Sequence, residues 1–143
     1  MTQDFDLKDF MPYLLNQAAD ATSLRFQKLY KSKYGMLRTE WRVLFHLGGY
    51  GDMTAKEICN RAGLHKTKVS RAVRALQDKR FLQRTEVPED RRHEILKLTP
   101  QGERVFNDLV GDAKRFDEKL ASRFTTDELD TLKRVLVRLA DLA

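Results

Sequence analysis

The chain has 143 residues, 41% of them hydrophobic and 34% charged, with a formal net charge of +6. That is enough for one domain with a modest core, so self-association would help to cover apolar surface. No apolar run approaches the ~18 residues a membrane span needs, the acidic opening MTQDFDLKDF resembles neither a signal nor a transit peptide, and the single Cys59 leaves no intrachain disulfide, so a cytoplasmic protein is expected.

Residues 7–33 are predicted as one long helix, because Leu7, Phe10, Met11, Leu14, Leu15, Ala18, Ala21 and Leu24 recur at helical spacing. Pro12 lies near its start or marks a kink, and Tyr34-Gly35 supplies the stop. Thr39 is the candidate cap of a short helix carrying Trp41, Val43, Leu44, Phe45 and Leu47, which Gly48-Gly49-Tyr50-Gly51 breaks. Thr54-Ala55-Lys56-Glu57 reads as a capping box opening a helix to about Ala62, with Gly63 ending it and Leu64 following as a buried plug. A second helix from Lys66 to Lys79 would bury Val69, Ala72, Val73 and Leu76 and turn Lys66, Lys68, Arg71 and Arg74 outward. Two short helices joined by a glycine-containing turn, the second one basic on its outer face, make a helix-turn-helix.

Phe81–Arg84 and Glu94–Leu98 are predicted strands, and the connection Thr85–His93 makes them a hairpin with a basic tip, a wing. Thr99 and Pro100 open the next helix, which Val105, Phe106, Leu109, Val110, Ala113, Phe116 and Leu120 continue with helical period. Thr125 or Thr126 caps a last helix bearing Leu129, Leu132, Val135, Leu136 and Leu139. The expected fold is mainly α with a small β-hairpin wing. It is one domain over 1–143, a winged helix-turn-helix lobe at 36–99 between N- and C-terminal dimerisation helices at 1–35 and 100–143. Those outer helices carry more apolar residues than the short lobe can cover.

Charge adds direction to this pattern. From Thr54 to Arg92 there are eleven Lys and Arg against five acids, and that excess is the whole net charge of the protein. A localised excess suits a phosphate-bearing partner better than a uniform basic coat does. At the start of the second helix His65, Lys66, Thr67, Lys68, Ser70 and Arg71 are potential donors to base edges or phosphates, with Arg74 farther along; the bland alternative is a solvated helix face. In the wing, Arg91 or Arg92 could enter a minor groove, with Asp90 pairing with the Arg92 guanidinium, or the turn is simply charged and solvated. The chain has no phosphate-cradling glycine loop, no H-E-x-x-H and no C-x-x-C, and His46, His65 and His93 fall in different elements. Neither catalysis nor a metal or other cofactor is expected.

Asp90 through Gly102, DRRHEILKLTPQG, resembles the MarR-family wing-to-helix motif, D-x-R followed by L-T-x-x-G. Glu40-Trp41-Arg42-Val43-Leu44 resembles the segment before that family's helix-turn-helix, and the resemblance extends over essentially the whole chain. It implies a two-fold homodimer with interlocked terminal helices, Lys66–Arg71 in the major groove and Arg92 in the minor groove, braced by Asp90. A two-fold protein implies a pseudo-palindromic double-stranded operator with half-sites about one helical turn apart. It further implies a repressor released by a small aromatic or phenolic ligand. Tyr13, Asn16, Arg25, Trp41, Arg42 and His46 are the candidate ligand groups, since arginine and aromatic walls suit an aromatic carboxylate, although each also fits an ordinary core or surface role. Relatives that sense peroxide carry their cysteine in the first helix, where this chain has none. Redox sensing through Cys59, ligand-independent DNA binding and a winged-helix protein–protein adaptor are the alternatives. No membrane partner is expected.

Overall fold

The computed structural model describes residues 4–141, the side chains of 90–93 excepted. The chain forms two compact units, Met1–Leu109 and Val110–Ala143. The first unit contains a 3-10 turn Leu7–Asp9, α1 Met11–Tyr34, α2 Arg38–Tyr50, β1 Met53–Thr54, α3 Ala55–Ala62, α4 Lys66–Asp78, β2 Leu82–Val87 and β3 Asp90–Leu98. Helix α5, Pro100–Ala121, begins in the first unit and continues into the second, which α6, Thr126–Ala140, completes.

The predicted helix at 7–33 is divided. Asp6 accepts from the Lys8 amide at 3.0 Å and closes the 3-10 turn; α1 then starts afresh with Pro12 in its first turn, so the proline is a start and not a kink. Gly35, at φ 64°, ends it. For α2 the cap position is Leu37 and not Thr39: the Glu40 carboxylate reaches back to the Leu37 amide at 3.3 Å. Gly48 and Gly49 lie inside α2, which stops only at Gly51, φ 92°. The reason is tertiary. A Cβ on Gly48 would meet the Phe106 ring at 2.4 Å, so this glycine admits a ring against the helix instead of breaking it.

The core of the first unit gathers Tyr30, Met36, Val43, Leu44 and Leu47 with Ile58, Val69, Val73, Leu76, Leu82, Leu96, Leu98, Val105 and Leu109, all buried. Beside it an aromatic stack runs through the same unit. Trp41 lies parallel to Tyr30, with ring centres 5.4 Å apart, and edge-on to Phe26 at 4.8 Å, while Phe45 meets Phe106 at 4.9 Å. At the far end of α1, the Tyr34 hydroxyl and Lys33 ammonium both reach Asp108 on α5, at 2.5 and 3.4 Å.

The sheet has three antiparallel strands in the order β1-β3-β2, one more than the sequence suggested. Met53 pairs with Leu96 and Thr54 with Ile95; Leu82 pairs with Leu98, Arg84 with Leu96 and Glu86 with Glu94. The hairpin strands are longer than predicted and its turn shrinks to Pro88-Glu89. The base of the wing is fastened to α5. Thr99 accepts from the Gly102 amide at 3.0 Å, donates its hydroxyl to the Arg80 carbonyl at 2.6 Å, and its own amide donates to the Phe81 carbonyl at 3.0 Å. Gly102 sits so near that a Cβ there would lie 1.9 Å from the Phe81 oxygen. The L-T-x-x-G pattern is therefore a joint: a cap that also ties down the strand entry, and a glycine that permits the approach.

In the second unit Thr125 and Glu128 form a reciprocal capping box, with bonds of 3.1 and 2.9 Å. The buried Asp112 carboxylate accepts from Arg115 at 2.7 Å. Along α6 the side chains of Leu132, Val135, Leu136 and Val137 are all exposed in the single chain.

Candidate nucleic-acid interface

The exposed basic surface begins at α3. Thr54 accepts from the Glu57 amide at 3.2 Å, the first half of the predicted capping box. Gly63, at φ 64°, ends α3, and both its amide and that of Leu64 donate to the Cys59 carbonyl. Leu64 is half-buried and not the fully buried plug expected. His65 then caps α4, its Nδ1 accepting from the Thr67 amide at 3.2 Å. The neutral ring therefore carries its proton on Nε2, the one nitrogen left to donate outward.

Helix α4 is sharply divided. Val69, Ala72, Val73 and Leu76 are buried, whereas His65, Lys66, Thr67, Lys68, Ser70, Arg71 and Arg74 are all exposed. The helical period brings these seven polar residues to one solvent-facing side, with the donors concentrated at the N-terminal turn. The backbone of Asp90, Arg91 and Arg92 lies in β3, beyond the tight turn; their side chains fall outside the described residues.

Between α3, α4 and the cleft-facing side of the sheet lies an open cleft of about 610 Å³. Lys56, Lys66, Ser70, Arg84, Glu94 and Cys59 are among its lining residues. In sequence Lys56 and Arg84 stand out only as two of the eleven cations of the basic segment, and Glu94 only as the start of a strand. Register supplies the missing signal: Arg84 sits opposite Leu96 and two residues from Glu86, which sits opposite Glu94, so all four share one face of the sheet. Arg84 reaches the Glu94 carboxylate at 3.4 Å. Cys59 is half-buried in this cleft, while Arg61, its neighbour on α3, lies over the Tyr50 ring at 4.7 Å.

The candidate ligand residues have other engagements. Tyr13 is half-buried and Asn16 and Arg25 exposed on α1. On α2, Trp41 belongs to the aromatic stack. Arg42 donates to the Ala62 carbonyl at 2.6 Å and so covers the C-terminal end of α3; burial lowers its affinity for its proton, and nearby Arg38 adds to the effect. His46 bonds through Nδ1 to the Arg42 carbonyl at 2.6 Å. Among the described residues no group of three His, Cys, Asp or Glu is placed to hold a metal ion, and no helix is long and apolar enough to cross a membrane.

Residues 34–93, which hold α2 through most of the wing, match the model of the MarR family. The HTH-type transcriptional regulator YwoH of Bacillus subtilis is 26% identical over 102 residues, covering 71% of this chain and 74% of its own length. A MarR/EmrR family transcriptional regulator from Acinetobacter sp. ADP1 superposes with a TM-score of 0.86 at 26% identity, covering 96% of each chain. BpsR of Bordetella bronchiseptica, whose DNA binding is regulated by 6-hydroxynicotinic acid, shares the fold at a TM-score of 0.88 and 18% identity, over 99% of this chain and 100% of its own. Motif, winged-helix architecture and relatives agree: residues 34–93 match the MarR family model, and the chain is similar to winged helix-turn-helix transcriptional regulators.

Proposed function

We propose that this protein binds double-stranded DNA as a homodimer at a pseudo-palindromic operator and acts as a repressor that a small aromatic acid or phenol releases. The observation that carries the DNA-binding part is α4. Its outward face is an unbroken set of exposed donors, within the segment that holds the entire net positive charge. A helix of that character fits the major groove and meets phosphates on either side. Lys66–Arg71 read base edges and adjacent phosphates, Arg74 follows along the groove, and Arg92, braced by Asp90, enters the minor groove. The exposed apolar side chains of α6, and those of Leu7, Phe10, Met11 and Leu14 at the N-terminus, support self-association, because a lone soluble chain rarely leaves so many uncovered.

The effector part rests on the half-buried faces of Trp41, Phe45 and Phe106, an aromatic wall whose Trp41 precedes Arg42 along α2, and on the behaviour of BpsR. Catalysis has no part in this reading, and the protein works in the cytoplasm. The test is anisotropy of a labelled duplex taken from upstream of the protein's own gene, titrated across a salt series. Binding should be saturable and two-fold, and log K should fall by about 0.9 per phosphate neutralised for each unit of log salt. Failure to bind that duplex or any selected duplex at physiological salt overturns the reading.

A further inference from the structure

Among the cations of the cleft stands an acid. Lys56, Lys66 and Arg84 face the same space as Glu94, and Arg84 is drawn to the Glu94 carboxylate at 3.4 Å. The register explains why. Glu86 and Glu94 sit directly opposite each other on adjacent strands, an unfavourable pairing of like charges, and Arg84 is diagonal to Glu94 on the same face. Both partners of the ion pair are more than one-third exposed, so it contributes little to folding. Its consequence falls on binding. A guanidinium engaged by a carboxylate is not available to a phosphate, and a carboxylate in the cleft repels the DNA backbone that enters it.

We infer that Glu94 restrains sequence-independent DNA binding by holding Arg84 off the phosphate backbone. This rests on the DNA-binding reading and adds a regulatory residue to it. Sequence-independent affinity is almost wholly electrostatic, so one engaged cation lowers it directly, while the base-reading contacts of α4 are left intact. The restraint thereby widens the margin between operator and bulk DNA.

The experiment uses the full-length protein and a mixed-sequence duplex about three helical turns long, titrated over a salt series. Glu94→Gln keeps length and shape and removes the charge. It should bind about two- to fivefold more tightly at low salt, the scale of one exposed ion pair, with the salt slope steeper by about 0.9. Adding Arg84→Ala to it should cancel both gains. Glu86→Gln makes the same charge change on the same face, at a side chain in no ion pair with a described residue, and should leave the slope unchanged. Thermal melting checks that each variant is folded. Wild-type affinity and slope in Glu94→Gln, or the same gain in Glu86→Gln, overturns the inference while leaving DNA binding standing. A wild-type protein that ignores every duplex overturns the functional reading and this inference together.

Discussion

Replacing Gly102 with alanine tests how the wing is hung on α5. The added Cβ would lie 1.9 Å from the Phe81 oxygen, 2.8 Å from its carbonyl carbon and 3.1 Å from its Cα. All three are backbone atoms, so no rotamer change relieves the overlap; the strand entry must retreat by about 1.5 Å to restore van der Waals contact. That retreat strains the two bonds by which Thr99 holds Phe81 and Arg80. Two hydrogen bonds at ~1 kcal/mol each, with ~1–3 kcal/mol for overpacking, less ~1 kcal/mol for the better helix former, leaves a net loss of about 2–4 kcal/mol. Urea unfolding followed by circular dichroism measures it, at fixed protomer concentration because dimerisation shifts the midpoint. Gly111→Ala is the internal control. It lies in the same helix, but its nearest neighbour is the mobile end of Arg115 at 3.5 Å, so a gain of up to ~1 kcal/mol is expected. A Gly102→Ala protein within ~0.5 kcal/mol of wild type, the range of an ordinary surface change, would refute the proposed joint.

Three further outcomes are expected. Arg92→Ala should weaken specific duplex binding by ~1–3 kcal/mol in anisotropy titrations, and unchanged affinity would remove it from the minor groove. Leu136→Asp places a charge in the exposed apolar stripe of α6 and should convert the dimer to monomer by sedimentation velocity; an intact dimer would place the interface elsewhere. Burial raises the Tyr30 phenol above the ordinary 10.0, an effect that Arg38 only partly opposes. The folded chain therefore keeps that proton at a pH where the unfolded chain has released it. Stability from this group is complete below pH 10.0 and declines as pH rises through the folded value, so wild type should lose stability above that point more steeply than Tyr30→Phe.

What could be read from the sequence follows the physics of each element. Val69, Ala72, Val73 and Leu76 announced themselves because burial on one side of a helix imposes its own spacing, and the residues between them had to face water. The wing was harder. Gln83, Arg84, Thr85 and Glu86 are all exposed, so β2 shows no alternation, and its extent is set by the ladder to β3. β1 is two residues long and exists only through Leu96 and Ile95, some forty residues away. Gly48 looked like a stop because the Phe106 ring that requires it lies on another helix. Thr39 looked like a cap, but Glu40 bonds back to the Leu37 amide and places the start of α2 earlier.

Arg42 shows the same limit at the candidate ligand site. Its type suggested a surface ion pair or a carboxylate clamp, yet its partner is the Ala62 carbonyl, a backbone group with no signature in the sequence. The bond has a mechanical meaning. His46 holds the Arg42 carbonyl while the Arg42 side chain closes the end of α3, so α2 and the helix-turn-helix are wired together through one residue. An aromatic acid that recruited Arg42 would leave the α3 carbonyl unpaired, a loss of ~1–3 kcal/mol where water cannot replace the donor. In the proposed reading, effector binding and the seating of α3 would compete for one guanidinium. That competition is a physical route by which a ligand beside Trp41 would loosen the lobe that carries α4.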